Sequence, residues 1–166
     1  LFVLRTTIFL SRTSNRKENS VNTTRSDQID QPPPSKVCRG VRGATTISEN
    51  TAEAILEGTR ELLLQMIELN HIVQEDVASV WFTATPDLNA EYPALAARQL
   101  GWHEAALMCS HEMDVPKGLK MCLRVLIHVN TTLSLTEIQH VYIRGAVNLR
   151  PERSIELSRF SAVKQN

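Results

Sequence analysis

The sequence predicts one α/β (α+β) domain, a mixed five-stranded sheet with helices on one face. Three observations predict it. Runs of alternating or β-branched apolar residues recur at 37–44, 77–83, 104–110, 121–131 and 140–147. Helical patterns at 51–70 and 93–100 fall between them, and a chain of 166 residues has the size of a single domain with a real core.

The first run, 37–44, alternates small or apolar residues with Arg39 and Arg42. Being three apart, the two arginines point to opposite faces of a strand. Asn50 with Glu53 three residues on has the capping-box spacing, and apolar positions at 55, 56, 59, 62, 63, 66 and 67 follow the helical rhythm to about Asn70. Residues 77–83 form a second strand. Thr85-Pro86-Asp87-Leu88-Asn89 is turn material, Pro93 suits the first turn of a short helix through Leu100, and Gly101 stops it. Residues 104–110 make a third strand and 121–131 a fourth, because Val125, Ile127 and Val129 alternate; Arg124, Leu126 and His128 share its other face. Residues 134–138 read as a helical turn and 140–147 as the fifth strand. With helices on one face, the other is too apolar in its last two strands to stay wet. Self-association into a closed homo-oligomer is expected.

The flanks read differently. Residues 1–36 are a disordered leader: ten Ser or Thr, few acids and no amphipathic period resemble an organelle transit peptide, the plastid kind especially. That reading places the mature protein in the chloroplast stroma; read as an ordinary tail, the leader leaves it in the cytoplasm. Residues 37–151 are the folded domain, and 152–166 a flexible C-terminal tail.

The chain is neutral overall, with 18 basic and 18 acidic residues. The leader takes six of the basic ones and only three of the acidic, so the body is mildly acidic. Nucleic acid is therefore an unsuitable partner. No apolar run approaches membrane-spanning length. Cys38, Cys109 and Cys122 are odd in number and lack a C-x-x-C spacing, the pattern of a reduced protein without structural zinc. His111-Glu112 is not the zinc motif, since position 115 is Val. No metal and no cofactor are expected.

The chemistry concentrates in Cys109-Ser110-His111-Glu112-Met113-Asp114 and in Arg124, twelve positions beyond Glu112. A guanidinium that opens the apolar run Val125-Leu126-Ile127 needs a partner or an anion. Its fork suits carboxylates or an oxygen gaining negative charge. Glu112 is either its structural partner or an acceptor for a substrate hydroxyl. Arg42 is either an exposed strand arginine or an anion ligand. Tyr142 is either a core aromatic or a hydroxyl donor, and Cys109 by itself reads as an inert thiol. These residues suit a small anion without naming a reaction.

Five blocks in order carry a resemblance: Arg39-Gly40-Val41-Arg42-Gly43-Ala44-Thr45-Thr46; Ala84-Thr85-Pro86-Asp87-Leu88; Glu112-Met113-Asp114-Val115; Gly118-Leu119-Lys120 with Arg124; and His140-Val141-Tyr142 through Leu149-Arg150-Pro151. From about Val37 to Pro151 the chain resembles the AroH-type chorismate mutases. The resemblance implies a pseudo-barrel homotrimer with active sites between subunits, and an isomerase that turns chorismate into prephenate for phenylalanine and tyrosine synthesis. It assigns Arg124 to the ether oxygen and a carboxylate, Arg42 and Tyr142 to carboxylates, and Glu112 to the ring hydroxyl with Cys109 beside it. The backbone of Met108, Cys109, Ser110, His111 and Glu112 lines the ring pocket. Tyr92, Ala94 and Arg98 form a wall from the adjacent subunit. Tyr92 stands where the family usually has Phe, and Leu95 where Lys is common; Arg150 matches. Two other readings are a trimeric imine deaminase of similar fold and a non-catalytic sensor of chorismate or an aromatic amino acid.

Overall fold

Which side chains alternate into the core decides the architecture. In the computed structural model, which describes residues 35–151, the strands are β1 (Val37–Thr46), β2 (Val77–Ala84), β3 (Ala106–His111), β4 (Cys122–Thr131) and β5 (Val141–Tyr142), and the helices are α1 (Ala52–Asn70) and α2 (Ala94–Gln99). The strand order is β3-β2-β4-β1-β5. Central β4 runs antiparallel to both neighbours, while β2 with β3 and β1 with β5 are parallel, so the sheet is mixed.

One face is dry. Val41, Val80, Phe82, Leu123, Val125, Ile127 and Val129 are buried there, in one cluster with Ile55, Leu62, Leu63 and Met66 of α1. Each such side chain contributes roughly 1.5–3 kcal/mol. Gly43 permits the close approach of α1: a Cβ there would run into Met66 Sδ and sit 3.1 Å from Leu62 Cδ1.

The opposite face carries Gly40 and Arg42 of β1, Trp81 of β2, and Met108 and Ser110 of β3, all exposed. Trp81 and Met108 keep 44% and 53% of their surface in water, a large apolar exposure on the β2–β3 side of the sheet. At one end this face is covered. A 3-10 helix, Arg144–Leu149, packs Ala146 with Ala44 and Tyr142 in a small second cluster.

Several expectations need correction. Among the described residues the sheet is not closed into a barrel: β3 and β5 are its two edges, and β5, with two residues, pairs there only with β1. β5 is also far shorter than 140–147. Its ladder ends where Ile143 N donates to Ala44 O at 3.0 Å, and Arg144, at φ 53°, turns the chain into the 3-10 helix. The cap of α1 is Thr51, whose Oγ1 accepts from Ala54 N at 3.3 Å. Asn50 is occupied elsewhere, its Oδ1 accepting from Asn89 N at 2.9 Å and Ala90 N at 3.0 Å. Glu53 is thereby out of capping-box register.

The C-terminus of α1 is fastened by a buried amide. Asn70 Oδ1 accepts from Gln139 N at 2.8 Å, and its Nδ2 donates to Gln139 O at 2.9 Å and Met66 O at 3.0 Å. Residues 134–138 form a single turn, Glu137 N donating to Ser134 O at 3.2 Å. Lys36, assigned above to the leader, pairs with Asp76 at 2.6 Å. The rest of the leader through 34, and the tail from 152, lie outside the described residues. Among the described residues no helix is long and apolar enough to cross a membrane.

Candidate active site

Strand register builds the site. Arg124 lies opposite Ala44 on β1 and Thr83 on β2; Ala44 in turn lies opposite Tyr142 on β5, and Thr83 opposite Ser110 on β3. One row across the open face therefore reads Tyr142, Ala44, Arg124, Thr83, Ser110. The next row reads Arg42, Leu126, Trp81, Met108. Arg42 is diagonal to Arg124, roughly 7–8 Å away.

Glu112 follows β3 and is drawn alongside β2 by its backbone N, which donates to Ala84 O at 2.9 Å. Its carboxylate is divided: Oε2 accepts from Arg124 Nη1, and Oε1 accepts from the Thr83 hydroxyl. The two charged side chains keep only 24% and 17% of their surface exposed, so their attraction is weakly screened. Arg124 Nε is buried and has no hydrogen-bond partner among the described residues. An unpaired N–H of a buried cation is costly, which makes it a donor waiting for an acceptor.

The pair is the wall between two hollows. One, of about 210 Å³, is lined by Arg42, Trp81, Thr83, Glu112, Arg124 and Leu126 among others. The other, of about 480 Å³, lies under the 113–120 loop, with Asp87, Lys117 and Lys120.

Neighbouring groups fix the arginines. Asp87 accepts from Met121 N at 3.1 Å and 3.0 Å, one bond to each oxygen, and from the Thr85 hydroxyl. Thr85 Oγ1 accepts in turn from Cys122 N at 3.0 Å. These bonds hold Met121 at φ 49° and start β4 two residues before Arg124. The Thr85 hydroxyl, ahead of the Met121 amide, keeps the Asp87 carboxyl below its ordinary value against the opposing pull of burial. Burial pushes the Cys122 thiol up, with the Arg124 guanidinium opposing it. On β1, Arg42 N donates to His140 Nδ1 at 3.1 Å, joining the segments that carry Arg42 and Tyr142.

The other predicted residues are placed elsewhere. Met108 and Ser110 face the open side, where Trp81 Nε1 donates to Ser110 Oγ at 2.8 Å. Cys109 and His111 alternate to the helix-covered side at the β3 edge. There they line a separate hollow of about 370 Å³ with Tyr92, Pro93 and Asn89. Burial raises the Cys109 thiol, more than the Ala94 N–H and the Arg98 charge lower it, so the thiol stays protonated at neutrality. Tyr142 is buried, and Tyr92 is 70% exposed. The chain thus brings together Arg124, Glu112 and Arg42, and separates them from Cys109 and Tyr92. Thr83 was missed. Alternation put it on the right face, but its bond to Glu112 depends on the β2–β3 register, which the sequence does not state. Among the described residues no group of three or more His, Cys, Asp or Glu is spaced to hold a metal ion.

A strand-borne arginine locked by a glutamate, with a second arginine diagonal to it, defines a binder of small anions on a mixed α/β sheet. The particular family follows from comparison. The signature described as Chorismate mutase type I matches residues 38–153, and the chain belongs to that family. Chorismate mutase AroH of Bacillus subtilis (strain 168) is 48% identical over 118 residues, 70% of this chain and 93% of the relative. The AroH protein of Thermus thermophilus is 49% identical over 115 residues, 69% of this chain and 94% of its own. A solved chorismate mutase from Clostridium thermocellum superposes with a TM-score of 0.64 at 49% identity, covering 65% of this chain and 96% of that one.

Proposed function

We propose that the protein is a chorismate mutase that rearranges chorismate to prephenate at sites completed between neighbouring copies. The observation that carries it is the buried Arg124 Nε, a cationic donor without a partner among the described residues, in a guanidinium whose Nη1 is already fixed by Glu112.

The rearrangement is unimolecular, so the protein's task is shape and charge. Chorismate carries two carboxylates, and its enolpyruvyl arm must be held folded over the ring in a near-attack geometry. As the ether C–O bond breaks ahead of C–C bond formation, negative charge grows on the ether oxygen. Arg124 Nε–H meets that oxygen, an interaction stronger in the transition state than in the ground state. Because Glu112 already orients the guanidinium, no reorganisation is needed as the charge develops. Arg42, exposed on the neighbouring row, takes one carboxylate, and the Tyr142 hydroxyl takes another. Glu112 uses one lone pair on Arg124 and one on Thr83 and keeps others for the ring hydroxyl. The acceleration required is at the low end for enzymes, roughly 8 kcal/mol.

The need for a second copy rests on separation. The hollow beside Arg42 and Arg124, about 210 Å³, is smaller than the roughly 300–1,000 Å³ of ordinary ligand pockets. Tyr92, Arg98 and Cys109, which the family resemblance assigns to the same site, belong to the β3 edge on the other side of the sheet. A homotrimer, joined through the face bearing Trp81, Met108 and Leu126, brings the β3 edge of one copy to the Arg124 row of the next.

The test is direct. Purified protein is mixed with chorismate, and the loss of chorismate absorbance is followed with prephenate as product. Absence of turnover by folded protein sinks the proposal.

A further inference from the structure

We infer that Thr83 is a positioning residue for this reaction, acting through Glu112. The inference rests on the proposed role of Glu112 and extends it to the neighbouring strand.

Thr83 lies in the same row as Arg124, directly opposite it across the β2–β4 ladder, and opposite Ser110 across the β2–β3 ladder. Its side chain is half-buried, on the open face. The hydroxyl donates to Glu112 Oε1, while Glu112 Oε2 accepts from Arg124 Nη1. A glutamate has three side-chain torsions, and an ion pair through one oxygen leaves rotation about the last of them. The second bond removes that freedom. It comes from a β-branched residue whose own first torsion is stiff, on a strand paired on both sides. The carboxylate plane is thereby fixed against two strands at once, in a side chain that lines the same hollow as Thr83.

Two consequences follow for catalysis. The acceptor for the ring hydroxyl is preset rather than selected on binding. The guanidinium, braced by an immobile carboxylate, keeps its Nε–H where the ether oxygen gains charge. Loss of the Thr83 hydroxyl leaves Oε1 without its donor, and the pair is then free to swing together.

The test compares three full-length proteins with chorismate: wild type, Thr83→Val and Thr83→Ser. Valine keeps the shape and removes the donor; serine keeps the donor and removes the methyl group. We expect Thr83→Val to lose roughly tenfold in kcat/KM, mainly in kcat, as a lost charge-assisted hydrogen bond predicts. Thr83→Ser should stay within about twofold of wild type. Thermal melts run in parallel establish that each variant is folded, and Thr83→Ala replaces Thr83→Val if valine is not accommodated. Wild-type rates in Thr83→Val overturn the inference, and so does a Thr83→Ser variant as slow as valine, which would implicate the methyl group. An inactive wild type is a different result: it removes the chorismate mutase reading, and this inference with it.

Discussion

The two faces of this sheet are made from the same strands and have opposite chemistry. In β4 the odd positions Leu123, Val125, Ile127 and Val129 are sealed against the core beneath α1, while Arg124, Leu126 and His128 alternate to the open side. Ten residues supply both the core and the principal cation. The dry face tolerates no charge because nothing there could compensate it. The open face keeps Arg124 half-buried because Glu112 does compensate it. Alternation thus lets a rigid strand hold a charge to within a fraction of an ångström without exposing the core to it.

The comparison can be broken from either side. The largest effect is expected from mixing lesions across copies. Arg124→Ala and Arg98→Glu chains should each be close to inactive alone. Co-expressed, they should recover about a quarter of the sites, the statistical share that receives neither lesion when each site takes Arg124 from one copy and Arg98 from the next. Activity that never rises above the parents places both residues in one chain's site. Substitution on the open face alone comes next. Arg124→Lys keeps the charge and loses the fork, and kcat should fall by about 10²–10³ with little change in the melting temperature. An undiminished rate removes Arg124 from the chemistry.

The converse substitution is made on the dry face. Phe82→Ala, at a fully buried position, should cost about 3–5 kcal/mol in urea unfolding while the folded fraction keeps most of its kcat. A stable variant with a collapsed rate would show that the faces are not separable in this way. The smallest effect belongs to Asp87→Asn, about 1 kcal/mol near neutrality from weakened bonds to Thr85 and Met121. The sign is fixed by the depressed carboxyl. Its contribution is present above the ordinary pKa of 3.8 and is lost as pH falls through the lower folded value, so wild type and variant should converge in acid. A gap that widens on acidification contradicts the assignment.

Much of this was legible in the sequence, for identifiable reasons. The period of two placed Arg124, Leu126 and His128 on one side of a strand, and the structure agrees. Of the two roles open to Glu112 in the sequence, the ion pair with Arg124 is one that forms. Boundaries were poorer where tertiary contacts decide them. Asn50 has the chemistry of a cap but is recruited by the 89–90 backbone, leaving the task to Thr51. The fifth strand stops at Tyr142 because Arg144, at φ 53°, turns the chain into the 3-10 helix. The resemblance lines the ring pocket with the backbone of Met108 to Glu112; the side chains of Met108, Cys109, Ser110 and His111 divide between two sides, as neighbours on a strand must. The barrel came with the resemblance and not from the strand pattern, and the sheet of the described residues is open, with β3 and β5 at its edges.

The fastening of the 113–120 segment isolates the guanidinium mechanically. One foot is tied where Glu112 N meets Ala84 O, and the other where Asp87 grips Met121 N, so tension in between stops at these two knots before it reaches the guanidinium. Met113 and Val115, exposed between the two knots, can therefore shift without carrying Arg124 with them.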